Sequence, residues 1–345
     1  MDFGGGDEVR FERSGKAGVI TLTRPQALNA LTGRMIRAIS HALTEWEADA
    51  GVAAVVVRGE GRAFCAGGDL MVVHGHRNDP PFAFFAEEYR LNAQIARFPK
   101  PYVALIDGIV MGGGVGVSFH GSHRVMTENA LFAMPEVGIG FFPDVGASHL
   151  LPRLRGDFGL YLGLTGARIR WGDALWCGLA THAVAKDGLD AVLRGVAAAG
   201  RPDEALRSVA STPSAESSEE KLAAIDRWFG GKTLAEVLAR LEAEEEDDPP
   251  AAEMLAMIRQ KAPTSLAVAF RAIRDGRHMA MDDCMRMEFR IVCRMLLGHD
   301  FYEGIRAAII EKGSQPAWRP AALPDVTEAA VDAHFAPLGK DELTL

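Results

Sequence analysis

The chain has 345 residues, of which 48% are hydrophobic and 24% are charged, a balance typical of a globular protein with a sizeable core. This length predicts about two domains, or one large domain with an appended region. Acidic residues outnumber basic ones, 46 against 37, which argues against a dedicated nucleic-acid-binding protein because such proteins usually present a basic face. Glycine is the unusual feature, because many of the 37 glycines are clustered.

The four cysteines have neither Cys-x-x-Cys spacing nor the density of a disulfide framework. We therefore expect a reducing, cytoplasmic location. The first residues lack the apolar run of a secretory signal and the Arg-rich pattern of a transit peptide. The longest apolar stretch, 103–119, contains Asp107 and five glycines and does not read as a membrane span.

Strands and helices alternate through the first 200 residues. Leu31, Met35, Ile39 and Leu43 recur every four residues and predict a helix within 29–46. A second helical pattern covers 82–98, and short apolar or β-branched runs predict strands at 19–22, 53–58, 101–106, 124–126 and 131–133. The unit of strand, loop and helix recurs about every 45 residues, which predicts an α/β fold of stacked units.

The pattern changes near residue 200. Residues 211–220 resemble a linker, and 221–312 have helical periodicity, followed by a short predicted helix at 327–335. The acidic run at 242–248 is interpreted as a solvated helix end rather than a binding tail. We therefore divide the chain into a core of residues 1–205 and a mainly helical region of residues 206–345.

Three partial motifs are rejected. Residues 231–233 (GKT) resemble the end of a phosphate-binding loop, but Asp226 stands where its first glycine should be. Residues 116–120 resemble a nucleophile elbow without its closing glycine, so a serine hydrolase using Ser118 and His120 is a minor alternative. His120 and His123 lack a third ligand with suitable spacing, and no metal site is predicted.

Two glycine-rich loops carry the functional signal. Residues 61–69 (GRAFCAGGD) and 111–114 (MGGG) each follow a buried strand and open a predicted helix. Glycine lets a ligand approach the backbone, and helix N-termini leave N–H groups unpaired. Two such ends side by side form an oxyanion hole, which stabilises charge on a carbonyl oxygen. Tight helix–strand packing is the alternative for either loop alone, and the occurrence of both favours a functional role.

Four segments together resemble the crotonase (enoyl-CoA hydratase/isomerase) superfamily. They occur in the family's order, within roughly residues 8–200, at 24–31 (RPQALNAL), 64–69 (FCAGGD), 106–116 (IDGIVMGGGVG) and 134–140 (MPEVGIG). The resemblance implies a crotonase-like spiral of stacked ββα units and an acyl-CoA thioester as substrate, with no separate cofactor. It implies no nucleic-acid or membrane partner, and it leaves a homo-oligomer open because members often form trimers.

The resemblance also assigns roles to individual residues. The N–H groups of Gly68 and Gly113 would hold the thioester oxygen, and Ala27 and Ala66 would lie against CoA. Hydratases of the family use two glutamates, one after the glycine triplet and one in the Pro-Glu motif. Here Glu136 supplies the second, but the first position is Gly116, which argues against ordinary hydration.

Two further acids lie in apolar surroundings. Asp144 follows two phenylalanines and a proline, and could be a turn residue or the cap of a helix beginning at Val145. Glu88 falls within the apolar arc of the helix at 82–98, whereas Glu87 falls on its polar side. A carboxylate on a buried face needs a partner or a ligand, so an ion pair with an arginine and a functional role both stay open for Glu88.

The chain resembles one branch of the superfamily closely, the 3-hydroxyisobutyryl-CoA hydrolases. The signature lies at 84–92 (FFAEEYRLN) and 111–156, and the similarity continues at 162–166 and 178–182. Its expected site residues match four positions here, Glu88, Gly113, Glu136 and Asp144. The resemblance implies a thioesterase of valine breakdown in which Glu136 activates a water or attacks the carbonyl itself. Asp144 would hold the 3-hydroxyl or orient the water, and Glu88 would bind the acyl group or support Glu136. The alternatives are an enoyl-CoA hydratase or isomerase using Glu136 alone, and a non-catalytic CoA-binding protein.

Overall fold

The computed structural model describes all 345 residues. They form two compact units whose segments alternate along the chain. The first unit comprises residues 1–69, 87–132 and 169–216, and the second comprises residues 70–86, 133–168 and 217–345. The sequence-based boundary at residue 205 stays a prediction.

The structure contains ten strands. In chain order they are β1 (Val9–Ser14), β2 (Ala17–Leu22), β3 (Ala54–Gly59), β4 (Ala63–Cys65), β5 (Tyr102–Ile106), β6 (Ile109–Met111), β7 (His123–Met126), β8 (Leu131–Ala133), β9 (His182–Val184) and β10 (Ala210–Ser211). A seven-stranded sheet has the order β1-β2-β3-β5-β7-β9-β10, and a three-stranded sheet has the order β4-β6-β8. The inner strands of the large sheet are parallel, whereas β1 and β10 pair antiparallel at its edges.

Sixteen α-helices complete the fold. They are α1 (Gly33–Ala48), α2 (Leu70–Gly75), α3 (Phe82–Arg97), α4 (Gly113–Gly116), α5 (Ala147–Leu150), α6 (Phe158–Thr165), α7 (Trp171–Trp176), α8 (Leu189–Ala199), α9 (Pro202–Arg207), α10 (Glu219–Phe229), α11 (Leu234–Glu244), α12 (Pro249–Arg259), α13 (Pro263–Gly276), α14 (Met281–Met295), α15 (Asp300–Ile305) and α16 (Glu328–Phe335). None is long and apolar enough to cross a membrane. The predicted α/β class, with stacked ββα units and a helical C-terminal region, is confirmed.

The core of the first unit lies between the large sheet and two helices. Alternate residues of the parallel strands, such as Val19, Val56 and Val103, point to one face, and Val192 and Val196 of α8 pack against them. All five side chains are fully buried. Each stabilises the fold by about 1.5–3 kcal/mol relative to an exposed side chain, which explains why the β-branched runs form these strands.

The second unit is built mainly from helices, with α6 at its centre. All eight residues of α6 are buried, which is the pattern of a helix surrounded on every side. The acidic run at 242–248 does end a helix as predicted, since α11 stops at Glu244. The prolines that follow begin the next helix, because the Asp248 side chain accepts a hydrogen bond from Ala251 N and Pro249 occupies the first turn of α12.

Two helices near the predicted site are shorter than their sequence patterns. The helix predicted from residue 29 begins at Gly33, because the Thr32 side chain caps it by accepting a hydrogen bond from Met35 N. The helix after the glycine triplet, α4, has only four residues, three of them glycines with poor helix propensity. The Ser118 hydroxyl also donates to the Gly114 carbonyl at 2.5 Å, an alternative to continued backbone pairing.

A buried asparagine organises the turn between β2 and α1. Asn29 is fully buried with φ 56°, and its side-chain amide donates to the Glu60 and Ala63 carbonyls at 2.8 and 2.9 Å. Its side-chain oxygen accepts from Arg24 N at 2.9 Å. These three bonds provide partners for one backbone N–H and two backbone carbonyls, so the RPQALN segment forms a fixed turn.

Replacing Asn29 with alanine should lower the free energy of unfolding by about 3 kcal/mol, because three backbone partners lose their hydrogen bonds and alanine disfavours a positive φ. Urea denaturation of the purified protein measures this change. The exposed Gln26 of the same turn provides the control, since Gln26→Ala should leave the unfolding midpoint nearly unchanged. Equal midpoints for N29A and wild type would contradict the assigned role of Asn29.

Candidate active site

In the first unit, the loop after β4 is tied to the Asn29 turn by backbone hydrogen bonds. Ala66 N donates to the Leu28 carbonyl at 3.0 Å, and Leu31 N donates to the Gly67 carbonyl at 2.8 Å. Gly68 forms an isolated parallel bridge with Leu31, whose second bond runs from Asp69 N to the Leu31 carbonyl at 3.2 Å, so the N–H of Gly68 itself is not used. The Gly68 backbone is therefore held in place with an N–H group that donates no hydrogen bond within the chain.

The second glycine loop lies beside the first. Gly113 is the first residue of α4, so its N–H group has no intrahelical acceptor, and it donates no other bond within the chain. A Cβ atom built on Gly67 would lie 3.8 Å from Gly113 N and 3.5 Å from the Met111 carbonyl oxygen. The sequence prediction that these two loops meet is confirmed, and both N–H groups are unpaired.

The α3 helix places a carboxylate against the Gly113 backbone. Glu88 is 2% exposed, and a Cβ atom on Gly113 would lie only 2.5 Å from Glu88 Oε1. Glu87 points the other way and pairs with Arg37 at 2.7 Å, so the predicted division between buried and polar faces is confirmed. One helical turn later, the fully buried Asn92 has no partner within the chain for either of its side-chain polar atoms.

The nucleophilic side chains near these loops are poor candidates for catalysis. Cys65 is fully buried, and burial raises the pKa of its thiol to about 12, so the thiolate is scarce at neutral pH. Ser118 is also fully buried, and its hydroxyl is engaged with the Gly114 carbonyl. The serine-hydrolase alternative therefore gains no support from the structure.

Ala27 and Ala66 occupy the surface of the first unit next to these loops. Ala27 ends the short 3-10 helix Pro25–Ala27, and Ala66 begins the loop that contains Gly68. Both residues are half-buried, so their backbones can be reached from solvent. Their contact with CoA stays a prediction.

In the second unit, Glu136 begins a short 3-10 helix, Glu136–Ile139. Phe141 N donates to the Glu136 carbonyl at 3.0 Å, which closes the turn. The Val137 carbonyl accepts from Ala262 N at 3.1 Å, directly before α13. The C-terminal helical region therefore takes part in holding the backbone next to Glu136.

The Glu136 carboxyl group has an electrostatically unfavourable environment for its charge. The residue is 6% exposed, and its Oε2 atom is buried with no hydrogen-bond partner within the chain. Burial, and then the nearby charge of Asp144, raise its pKa well above the usual value. A carboxyl group with a raised pKa is a stronger base when ionised than an exposed carboxylate.

Asp144 lies in a turn with unusual backbone geometry. It is 4% exposed, and its carbonyl accepts from Ala147 N at 2.9 Å. The next two residues, Val145 and Gly146, have positive φ angles of 51° and 88°. The α5 helix begins at Ala147 with Gly146 at its N-cap position, so the alternative in which Asp144 caps a helix starting at Val145 is wrong.

Aromatic side chains form a cluster around Phe141, in the segment between Glu136 and Asp144. Phe141 stacks on Phe301 with ring centroids 4.5 Å apart, and it also contacts Phe85 and Phe142. Phe142 and Phe301 are almost completely buried. Aromatic rings therefore pack together within the segment that joins Glu136 to Asp144.

Glu288, a third buried carboxyl group, was not identified from the sequence. It lies on α14 with 0% exposure, and its Oε2 accepts from Gly146 N at 2.8 Å. Its Oε1 accepts from both the N–H and the hydroxyl of Ser148, at 2.9 and 2.5 Å. Burial raises the pKa of Glu288 to about 8, and the charge of Asp144 adds to this, while the bonds from Ser148 and Gly146 oppose it.

A sequence signal for Glu288 does exist. Cys284, Met285, Ile291 and Val292 stand three or four residues away from it and are all buried. This is the same apolar arc that distinguished Glu88. Applying the rule to every helix of the C-terminal region would have singled out Glu288.

Comparison with known proteins gives a consistent family. The model of the family described as "Enoyl-CoA hydratase/isomerase" matches residues 17–335. Curated relatives named "3-hydroxyisobutyryl-CoA hydrolase, mitochondrial" include the Danio rerio protein, 42% identical over 99% of this chain and 92% of its own length. The Homo sapiens protein of that name is 41% identical over 98% of this chain and 90% of its own length.

Solved structures with the same fold carry other names. A carnitinyl-CoA dehydratase from Mycobacterium thermoresistibile is 43% identical and superposes with a TM-score of 0.92, covering 98% of this chain and 99% of its own. An enoyl-CoA hydratase from Rhodobacter sphaeroides 2.4.1 is 41% identical with a TM-score of 0.87, covering 98% of this chain and 100% of its own.

The contribution of Glu288 to the free energy of unfolding should fall as pH rises from about 4.5 to about 8. Over this range the folded chain keeps a proton on Glu288 that the unfolded chain has released. The stabilisation is therefore fully present below the Glu288 pKa of the unfolded chain, and it is lost as pH rises through the pKa of the folded chain. Glu136 contributes with the same sign. Glu288→Gln should flatten this dependence, as measured by urea denaturation at several pH values.

The exposed Asp283 on the same helix supplies a matched acid-to-amide control, since Asp283→Asn should leave the slope unchanged. The comparison uses the slope against pH rather than the stability at one pH, because Glu288→Gln also removes hydrogen bonds. A Glu288→Gln variant with the wild-type slope would contradict the assignment.

Proposed function

Because the chain belongs to the enoyl-CoA hydratase/isomerase (crotonase) family, we propose that it is a thioesterase that converts 3-hydroxyisobutyryl-CoA into 3-hydroxyisobutyrate and CoA. The observation that carries this proposal is Glu136, whose buried carboxyl has a raised pKa, in a chain whose glycine at position 116 removes the other hydratase glutamate. The relatives named 3-hydroxyisobutyryl-CoA hydrolase support it through their similarity along nearly the whole chain.

The first step of the proposed reaction is binding of the thioester oxygen. The unpaired N–H groups of Gly68 and Gly113 would donate to this oxygen and stabilise the negative charge that develops on it. The approach of Gly67, the residue before Gly68, to Gly113 and the lack of internal acceptors for both N–H groups support this role. In other enzymes, the loss of one such donor raises the barrier by about 3 kcal/mol.

Glu136 would carry out the proton transfer or the attack. As a base, its carboxylate takes a proton from water while the water oxygen attacks the thioester carbon. The tetrahedral intermediate then expels the CoA thiolate, which takes up the proton. As a nucleophile, Glu136 itself displaces the thiolate and forms an anhydride, which water then hydrolyses. The raised pKa supports the base because a carboxylate whose charge is disfavoured by burial takes up a proton from water more readily.

Asp144 and Glu88 would act on the acyl group. Asp144 would accept a hydrogen bond from the substrate's 3-hydroxyl or orient the water, and Glu88 would bind the polar end of the acyl group or support Glu136. The position of Glu88 against the Gly113 backbone supports a place beside the thioester. Ala27 and Ala66 would lie along CoA.

A hydratase is the second candidate, favoured by the names of the two solved relatives. It would add water across an enoyl double bond with Glu136 as the sole carboxylate. The absence of a carboxylate at Gly116 argues against it, because hydratases of the family share one water between two carboxylates. A cytoplasmic location, a place in valine degradation and a homo-oligomeric state stay predictions, and the curated relatives carry the word mitochondrial in their names.

Purified protein should release free thiol from 3-hydroxyisobutyryl-CoA faster than from other β-hydroxyacyl-CoA esters. Glu136→Gln should reduce this release by roughly 100-fold or more, because the amide can neither accept the proton nor attack the carbonyl. Thiol release is followed with a chromogenic disulfide reagent.

The control for this test is Glu253→Gln, an exposed acid-to-amide change on α12 that should keep full activity. Crotonyl-CoA is assayed in parallel by the loss of enoyl absorbance. Thiol release unchanged in the Glu136→Gln variant would refute the proposal. Loss of enoyl absorbance without thiol release would favour the hydratase, and CoA binding without either reaction would favour a non-catalytic protein.

Gly113→Ala should abolish most of the thioester hydrolysis while the chain remains folded. The added Cβ atom would lie 2.5 Å from Glu88 Oε1 and 3.1 Å from Leu31 Cδ1, so the loop or the carboxylate must shift. We expect a fall in kcat of roughly 100-fold, as for loss of one oxyanion donor. Gly75→Ala is the matched control because nothing lies within 4 Å of its added Cβ. Wild-type kcat in the Gly113→Ala variant would contradict the assigned role.

A further inference from the structure

We propose that Glu288 is a positioning residue that acts through Asp144, by holding the turn at 144–146 in the conformation that places the Asp144 carboxylate. This inference rests on the proposed function, since it gives Asp144 a role in the reaction. All the residues involved belong to the second unit.

The first observation is backbone strain next to Asp144. Val145 is a β-branched residue with φ 51°, a region that such residues rarely occupy. It is 1% exposed, so the strain is not relieved by contact with water. A strained conformation persists only when its surroundings impose it.

The second observation is the set of bonds that imposes it. The Glu288 carboxylate accepts from Gly146 N, Ser148 N and Ser148 Oγ, directly after the strained residue. The amide group of Gly146 also forms the peptide that follows Val145, so its direction depends on the Val145 backbone angles. Releasing this N–H group would let Val145 relax toward negative φ and would swing Asp144 on the other side of it.

The third observation is that a simple helix cap does not require this arrangement. A neutral serine, threonine or asparagine can cap a helix, and α5 has only four residues to stabilise. Instead, a completely buried acid stands where its charge and that of Asp144 oppose each other. Burying a further acid beside Asp144 is unfavourable for stability, which favours a role in placing the turn over a role in holding the helix.

The bond partners are far apart in the sequence, since Gly146 and Glu288 are separated by 142 positions. Close packing supports the contact, since a Cβ atom on Gly276 of α13 would lie 2.0 Å from the Ser148 carbonyl. Two helices of the C-terminal region therefore hold α5 in place. α13 does so by close packing, and α14 does so by hydrogen bonds.

A double-mutant cycle on thioester hydrolysis tests the proposal. Measured above pH 8, where the Glu288 carboxyl group is ionised and accepts all three bonds, Glu288→Gln should lower kcat/KM by roughly tenfold or more, because its amide group turns a donor toward a backbone N–H. The ratio between the change in kcat and the change in KM should be the same in Glu288→Gln as in Asp144→Asn. In the Asp144→Asn background, Glu288→Gln should have less than about a threefold further effect, since the group it positions is already impaired.

A gentler variant covers the case in which Glu288→Gln does not fold. Ser148→Ala removes the hydroxyl bond and keeps both backbone bonds, and it should lower kcat/KM by about threefold in the wild-type background and by less in the Asp144→Asn background. Asp283→Asn, an exposed change on the same helix, should keep wild-type activity. Independent, multiplicative effects of Glu288 or Ser148 and Asp144 would overturn the proposal, as would wild-type kinetics for folded Glu288→Gln.

Hydrogen exchange gives a readout that does not depend on the activity. The peptide 141–150 should exchange at least about tenfold faster in Glu288→Gln than in Asp283→Asn, because Gly146 N and Ser148 N lose their acceptor. If wild-type protein hydrolyses no thioester but exchange increases, the proposed function fails while the control of the turn by Glu288 stands. Unchanged exchange in the variant overturns the positioning role in either case.

Discussion

The burial of three carboxyl groups among apolar side chains is the constraint that shapes the second unit. An isolated carboxylate in such surroundings must find hydrogen-bond donors or keep its proton. Glu288 combines the two, because Gly146 and Ser148 supply three donors and burial raises its pKa to about 8. Glu136 takes the second in part, because its Oε2 has no donor and its pKa is raised by burial and by Asp144. The same apolar surroundings thus leave one acid with three hydrogen bonds and the other with a carboxyl oxygen that has none.

The first unit uses backbone groups in a comparable way. Asn29 and the bonds from Ala66 and Leu31 satisfy nearly every polar group around the loop, which holds the backbone firmly. The N–H groups of Gly68 and Gly113 are left over. Unpaired donors on a fixed backbone need no reorganisation when charge develops on a bound oxygen, which is the basis of electrostatic catalysis.

Relatives of nearly equal similarity carry hydrolase, hydratase and dehydratase names, so overall similarity does not separate the reactions. The placement of carboxyl groups can separate them, because a shared thioester-binding fold leaves the choice of reaction to the side chains that handle water and protons. Gly116 and Glu136 are the two positions that discriminate most directly between a hydrolase and a hydratase. Glu288 extends this reasoning from the reacting groups to those that hold them in place.

Local pattern determined much of this protein. The β-branched runs became buried strands and the apolar arc of α3 separated Glu88 from Glu87, because these features depend on residues close together in the chain. The positive φ of Val145 and the bonds between α14 and α5 were decided by the tertiary structure. Periodicity shows that Glu288 is buried, but not what it binds, because its partners lie about 140 residues away and meet it only when the helices pack.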